Sequence, residues 1–392
     1  MGEDLRNTLH ANDLVKIPVF QEVIGKIQAV IADFKMGKQG NVAIIAEPFA
    51  GKSTLLEEIE NKNREKVTKI TFSSLVHNKE NKANKEKITL RENSDQENSD
   101  QAKSNQEKSD QENPNQSYPD YPDLLPENLK QIVLLDNCHF LYMRKVGGFE
   151  VLYEFLDMIS SRKQIFITTW NLYSWDYLDA SFGIGKYFPV QIHIPKFSKE
   201  DLRTLILRAY EEGEIRFEDD LEGEKEPFLY LMKYPLELTL LGKEIVIPFP
   251  KGNITNIKKR FMKKEKQPGA EDRVFEKIYL ESKGNPGLAL RIWELGIEYP
   301  RARPEKIGGF SFEIELEYEE AFVLSQILSH QRLKKEEIAG ITGSWDGNRA
   351  GETIFRLLAQ ELIIMDEESY YRLRPEALHS IASFLKNLRL VW

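Results

Sequence analysis

Apolar side chains recur with a helical period between Asp13 and Phe34, at Val19, Phe20, Val23, Ile24, Ile27, Val30, Ile31 and Phe34. That spacing predicts a helix with one buried face. A different pattern follows at Val42-Ala43-Ile44-Ile45, where four apolar residues stand in a row. A run this short, without polar positions, suits a strand covered on both faces. The same alternation continues down the chain. Val67 to Val76 begins as an alternating, β-branched run, and Gln131 to Asp136 is apolar up to its last residue. Gly147 to Ser160 returns to helical spacing through Phe149, Leu152, Phe155, Leu156 and Ile159. Gln164 to Thr169 and Val190 to Ile194 complete the set of strands. Strands separated by helices predict a three-layer α/β domain with a parallel sheet.

Beyond Pro195-Lys196-Phe197 the pattern changes. Ser198 stands before a helical run through Leu202, Leu205, Ile206 and Ala209, with Asp201 three residues on, which predicts an N-cap of capping-box type. Helical and hairpin-like stretches follow, then a helix from Val274 to Ser282. Gly284-Asn285-Pro286-Gly287 predicts a tight turn into another helix, with proline at its first position. Tyr299 to Gly309, with two prolines and two glycines, reads as a linker. The last segment predicts three helices, a hairpin between Leu362-Ile363-Ile364-Met365 and Tyr370-Tyr371-Arg372-Leu373, and a final helix from Pro375. Three helices and a hairpin are the elements of a winged helix-turn-helix. The expected organisation is an α/β domain over 1–196, a mainly helical lid over 197–299, a linker over 300–312 and a winged helix over 313–392.

One stretch has no apolar pattern. From about His77 to Ser117 the chain is dominated by Asn, Gln, Lys, Glu, Ser and Asp, in part as a five-residue repeat typified by Glu-Asn-Ser-Asp-Gln. Such a segment lacks the apolar surface to offset the entropy of ordering, and a disordered surface insertion over 77–117 is expected. The length of 392 residues leaves room for two or three domains. A net charge of −9 argues against a dedicated nucleic-acid binder, although Ile257 to Lys266 is locally basic. The single cysteine, Cys138, cannot form an intrachain disulfide, which fits a reducing compartment. The first residues have no apolar signal core, and no run approaches the roughly 20 apolar residues of a membrane helix. A cytoplasmic protein without a membrane partner is expected.

The chemistry concentrates after the first strand. Ala46-Glu47-Pro48-Phe49-Ala50-Gly51-Lys52-Ser53-Thr54 follows the apolar run and precedes an amphipathic helix. Strand, loop of phosphate size and helix form the context of a P-loop, with alanine at the first glycine position. Alanine fits there only with φ below zero. The helix N-terminus leaves backbone N–H groups unpaired and attracts an anion. Lys52 would reach the β- and γ-phosphates, and the Ser53 hydroxyl would hold Mg²⁺.

A carboxylate follows in Asp136, at the end of an apolar strand, which is the Walker B pattern and a second group for Mg²⁺ beside Ser53. The next residue is Asn137, where a catalytic acid often stands. An amide accepts no proton, so slow hydrolysis, or a catalytic group supplied from elsewhere, is expected. His139 has two readings, a loop histidine against the next helix or a group that senses the nucleotide state. At the end of the fourth strand, Asn171 is the candidate for touching the γ-phosphate or the attacking water, with Thr169 next. The alternative for Asn171 is a turn that satisfies its own backbone.

Taken together, the P-loop, Asp136, Thr168-Thr169-Trp170-Asn171, Ile194-Pro195-Lys196-Phe197-Ser198, Gly284-Asn285-Pro286 and the C-terminal helices and hairpin resemble the AAA+-related STAND ATPases. The order also looks like that of the archaeal origin-initiator ATPases. The resemblance implies ATP and Mg²⁺ bound between core and lid, with Pro286 near the nucleotide. Asp136-Asn137-Cys138-His139 is similar to the acid-acid-x-His form of the STAND group, with Asn137 departing from it. Initiator-type ATPases carry a lid arginine just after the glycine-led turn, where this chain has Gly287, and Arg291 lies one turn later. No arginine finger is assigned. Two functions are carried forward. The first is a nucleotide-dependent switch with weak or no ATPase activity, acting on an unidentified protein partner. The second is a DNA-binding regulator or initiator relative that uses the winged helix, with Asn348, Arg349, Thr353 and Arg356 on the candidate recognition helix.

Overall fold

The computed structural model describes residues 13–38, 40–73, 125, 129–218, 229–236, 245–252, 269–342 and 347–392. The polar segment 77–117 and the basic stretch Ile257 to Lys266 lie outside the described residues. The chain divides into two compact units. The first comprises Met1–Phe197, Asn285–Leu288 and Phe310–Trp392; the second comprises Ser198–Gly284 and Ala289–Gly309. The expected C-terminal domain therefore falls in the same unit as the α/β domain, and so does the turn at Asn285–Leu288.

The first unit is built on a five-stranded parallel sheet. Its strands are β1 (Val42–Ala46), β2 (Val67–Thr71), β3 (Ile132–Asp136), β4 (Ile165–Asn171) and β5 (Val190–His193), in the order β2-β3-β4-β1-β5. Every pairing is parallel. The three central strands are buried at every residue, which is why their sequences are almost wholly apolar. Helices α1 (Pro18–Lys35), α2 (Lys52–Lys62), α3 (Glu150–Ser161) and α4 (Leu172–Phe182) connect and cover the strands. On one side, Ala43, Ile45, Val133, Leu135 and Phe166 pack with Leu152, Phe155, Ile159, Trp175 and Phe188 in a continuous core. The fold is the expected three-layer α/β P-loop fold. β4 lies between the P-loop strand β1 and the acid-bearing strand β3, and it continues two residues past Thr169.

In the second unit, α5 (Lys199–Leu207) begins at Ser198, whose hydroxyl accepts from the Asp201 N–H while the Asp201 carboxylate accepts the Ser198 N–H, the reciprocal box the sequence suggests. Besides α6 (Ala270–Ser282) and most of α7 (Pro286–Gly296), this unit contains β-structure. β6 (Arg216–Phe217) pairs in parallel with β9 (Arg301–Ala302), so the expected linker supplies a strand here. β7 (Leu229–Leu236) pairs antiparallel with β8 (Ile245–Gly252). Phe275 stacks on Trp293, and the Trp293 indole N–H donates to the Tyr210 hydroxyl.

The C-terminal part of the first unit contains α8 (Tyr318–His330), β10 (Arg332–Leu333), α9 (Lys335–Thr342), α10 (Gly347–Ala359), β11 (Ile363–Met365), β12 (Tyr371–Leu373) and α11 (Leu378–Asn387). β10 adds a third strand beside the hairpin, in the order β10-β12-β11. Its core of Leu324, Ile327, Leu328, Leu357, Leu362, Ile381 and Leu385 also takes in Met143 and Tyr173 from the α/β part. Among the described residues, no helix is long and apolar enough to cross a membrane.

Candidate nucleotide-binding site

The site begins where β1 ends. Ala46 closes the strand, and φ is not positive there, so its Cβ meets no backbone penalty. The left-handed positions fall further along the loop. Phe49 has φ 64 and Gly51 has φ 84. Gly51 is the N-cap of α2 and offers no side chain to the first-turn N–H groups, which stay open toward the loop. Lys52 is buried, and its ammonium donates to the carbonyls of Ala46 (3.0 Å) and Glu47 (2.8 Å). Burial pushes the Lys52 ammonium down to about 8, against the pull of the Asp136 and Glu47 carboxylates. The Ser53 side chain is exposed at the first turn, and Thr54 is half-buried beside it.

The loop is fastened by the turn that leads into α7. The Asn285 amide donates to the Pro48 carbonyl at 2.8 Å, and the Gly287 N–H donates to the Phe49 carbonyl at 3.1 Å. A Cβ at Gly287 would stand 2.5 Å from that carbonyl oxygen. Glycine is therefore required here for close backbone approach, and an arginine at this position cannot be accommodated in this arrangement. Pro286, between them, occupies the first position of α7. Arg291 belongs to the second unit and pairs with Glu294.

Asp136 ends β3 and is buried. Its Oδ1 accepts from the Asn137 N–H at 3.0 Å and from the Thr169 hydroxyl at 2.5 Å. Among the described residues Oδ2 takes no hydrogen bond, which leaves one carboxylate oxygen for another partner. Asn137 has φ 60, in the left-handed region that asparagine tolerates better than most residues. The short 3₁₀ turn Cys138–Leu141 follows, with the Cys138 thiol buried and its pKa pushed well up by burial.

Asn171 stands elsewhere in the network. Its side-chain oxygen caps α4 by accepting the Tyr173 N–H, and its amide donates to the Leu328 carbonyl at 2.6 Å. The side chain is fully buried with both ends engaged, the turn-type alternative extended by a long-range bond. Two further bonds continue this contact. The Ser174 hydroxyl donates to the Ser329 carbonyl at 2.6 Å, and His330 Nδ1 lies 2.9 Å from the His139 carbonyl oxygen. The last turn of α8 is thus tied at three successive residues to the end of β4, the first turn of α4 and the 3₁₀ turn after β3. Apolar periodicity carries no mark of it, since the partners lie 155 to 191 residues apart.

The residues present fit a nucleotide and a magnesium ion. The open first-turn N–H groups suit phosphate oxygens, and the exposed Ser53 hydroxyl and the Asp136 carboxylate are hard oxygen donors. Lys52, Ser53, Asp136 and Thr169 are brought to the same end of the sheet, and the Asn171 side chain there is engaged with Tyr173 and Leu328.

No protein-family model matches this chain, and no curated protein sequence matches it significantly. Solved structures do. The chain is similar to the RuvB Holliday junction branch migration motor of Thermotoga maritima, with 12% identity and a TM-score of 0.35 over 92% of this chain and 94% of that one. It is similar to the ORC2 protein of Aeropyrum pernix, with 10% identity and a TM-score of 0.38 over 95% of each chain. It is also similar to Cdc6p from Pyrobaculum aerophilum, with 12% identity and a TM-score of 0.39 over 95% of each chain. Identities of this size carry no residue role from those proteins to this chain.

Proposed function

We propose that this protein binds ATP with Mg²⁺ at the loop Ala46 to Thr54 and acts as a nucleotide-dependent switch with slow turnover. The observation that carries the reading is the pairing of an uncapped helix N-terminus and buried Lys52 with Asp136 at the neighbouring strand ends. Lys52 would exchange its two loop carbonyls for phosphate oxygens. Loop N–H groups of Glu47 and of Phe49 to Gly51, with the first turn of α2, would hold the remaining oxygens, with Pro48 within the loop and Pro286 close by on the turn that fastens it. Ser53 and Asp136 would hold Mg²⁺, which when bound supplies positive charge against the phosphates.

The switch reading follows from the neighbours of Asp136. Thr169 binds its carboxylate, and two residues further along β4 Asn171 holds the Leu328 carbonyl. A change at the phosphate end of β3 and β4 therefore acts on the elements that hold α8. Slow turnover is supported by Asn137, an amide beside the acid, and by Asn171 being committed to structure. The C-terminal part has the element order of a winged helix-turn-helix. Its DNA-reading alternative has less support, because Arg349 pairs with Glu319 and Arg356 with Glu320 at 2.7 Å. A protein partner is the better reading.

The test is calorimetric titration with ATP and ADP in the presence of Mg²⁺. Lys52→Ala is expected to weaken binding about 100-fold, the scale of losing buried charge-assisted bonds to phosphate. Unchanged affinity in that variant would remove the site assignment. Salt-sensitive DNA binding lost in Arg349→Ala would instead favour the DNA reader.

A further inference from the structure

A cleft adjoins the phosphate loop. It is lined by Pro48 and Phe49 of the loop, by Asn137 and His139 after β3, and by Gln331, Arg332 and Arg372 of the C-terminal part. Three observations mark it as built. The first concerns the backbone. Seven non-glycine residues have positive φ in the described chain, and Phe49, Asn137 and Gln331, with φ 64, 60 and 65, all line this cleft. Left-handed backbone at bulky residues is held against a local cost, and such residues gather at functional sites.

The second observation is His139. Its side chain is fully buried, and neither ring nitrogen has a hydrogen-bond partner. Burial holds its pKa well below the usual histidine range, and the charges of Lys52 and Arg332 push in the same direction. A buried imidazole with both nitrogens unpartnered is a polar group open to a ligand. The third observation is the arginine pair. Arg332 and Arg372 are cross-strand partners on β10 and β12. Arg332 lies over the Tyr370 ring and pairs loosely with Glu368 at 3.4 Å. Arg372 is exposed and has no ion pair among the described residues. Asp366, the carboxylate in the same cleft, already accepts the N–H groups of Glu368 and Tyr370.

We infer that Arg372, with Arg332 and His139, forms the face of the nucleotide site that reads the terminal phosphate, so that one chain supplies both the phosphate loop and the cations opposite it. The inference rests on the ATP-binding reading above and names its regulation. Guanidinium groups suit phosphate because their donors lie in a fixed planar fork. Their position on the C-terminal sheet makes that sheet the part whose placement depends on whether a third phosphate is present. ADP, ending one phosphate short, reaches the loop without reaching the arginines.

The experiment is titration of the full chain with ATP, the non-hydrolysable analogue AMP-PNP and ADP, with Mg²⁺. Wild type is expected to prefer AMP-PNP over ADP by about tenfold or more, the scale of one or two charge-assisted bonds. Arg372→Gln and Arg332→Gln, separately and together, are expected to erase that preference while leaving ADP affinity within about twofold of wild type. Retained preference in the double variant overturns the inference. Equal loss of AMP-PNP and ADP affinity also overturns it, because it assigns the arginines to folding rather than to the third phosphate. Failure of wild type to bind any nucleotide overturns the ATP-binding reading itself, and Lys52→Ala in the same series separates the two.

Discussion

The ends of β1 and β4 lie side by side in the sheet, yet they are finished in opposite ways. After β1 the chain leaves its polar groups open. Gly51 caps nothing, Ser53 is exposed, and the first turn of α2 has free N–H groups. After β4 the polar groups are closed. Thr169 holds Asp136, and Asn171 and Ser174 hold the last turn of α8. An open strand end awaits a ligand, and a closed one transmits a position. The difference explains why binding is the firmer part of the proposed function and hydrolysis the weaker. Asn171, the first candidate for placing a water molecule, is engaged in fastening the C-terminal part, and Thr169 is engaged with Asp136.

The closed end is the easier of the two to break, and acid should do it. Burial lowers the His330 pKa from 6.5 to about 4, helped by Arg144, while the bond to the His139 carbonyl acts in the opposite direction. The folded state therefore binds fewer protons than the unfolded state between those values. The neutral imidazole's contribution is fully present above about pH 6.5 and is lost as pH falls toward 4. Two and a half pH units correspond to about 3 kcal/mol. His139 shifts in the same direction and adds to the slope. Chemical denaturation from pH 7 to pH 4 should show this fall. His330→Asn, which keeps a donor near Nδ1 and does not titrate, should reduce the slope by about one proton. An unchanged slope would place the acid sensitivity elsewhere.

Asn171→Ala attacks the same end without a change of pH. It removes the α4 cap and leaves the Leu328 carbonyl buried without its donor, a loss of about 2 kcal/mol. Denaturation midpoints and protease sensitivity near α8 should both report it, while ADP affinity should stay close to wild type. A large loss of nucleotide affinity would return Asn171 to the binding site.

The open end was legible in the sequence, and the closed end was not. Val42 to Ile45 followed by Gly51-Lys52-Ser53-Thr54 announces strand, loop and helix through local spacing alone, and the apolar run into Asp136 does the same. Ala46 met its one condition, a φ that is not positive. The bonds of Asn171, Ser174 and His330 join segments far apart in the chain, and no periodicity encodes such pairs. The two-residue β10 is too short to show any alternation, so the third strand of the C-terminal sheet, and with it the placement of Arg332, was invisible. Gln331, with φ 65 at the end of α8, gave no warning either.

At the open end, Gly287→Ala tests how the loop is held. The added methyl would stand 2.5 Å from the Phe49 carbonyl oxygen, so the turn must withdraw and give up the bond from the Gly287 N–H. The expected cost is about 1 to 2 kcal/mol of stability, as for other overpacked contacts. Affinity for ATP and ADP should fall together, measured by the same titrations, because both depend on the loop. Loss of stability with full affinity for both nucleotides would show that the turn does not shape the loop.

The smallest expected effect decides what Asn137 is for. Its φ of 60 suits asparagine and glycine and penalises a Cβ-bearing residue that cannot bond locally. If the backbone shape at the junction of β3 and the 3₁₀ turn is its role, Asn137→Gly should stay within about 0.5 kcal/mol of wild type and Asn137→Ala should cost about 1 kcal/mol. Phosphate release should then remain slow in both variants. Asn137→Glu adds the missing carboxylate only by placing a longer side chain on the same left-handed backbone, so any gain in turnover is opposed by that strain. A marked rise in phosphate release with Asn137→Glu would mean that the open and closed ends still meet over the bound nucleotide, and that the acid was the one missing part.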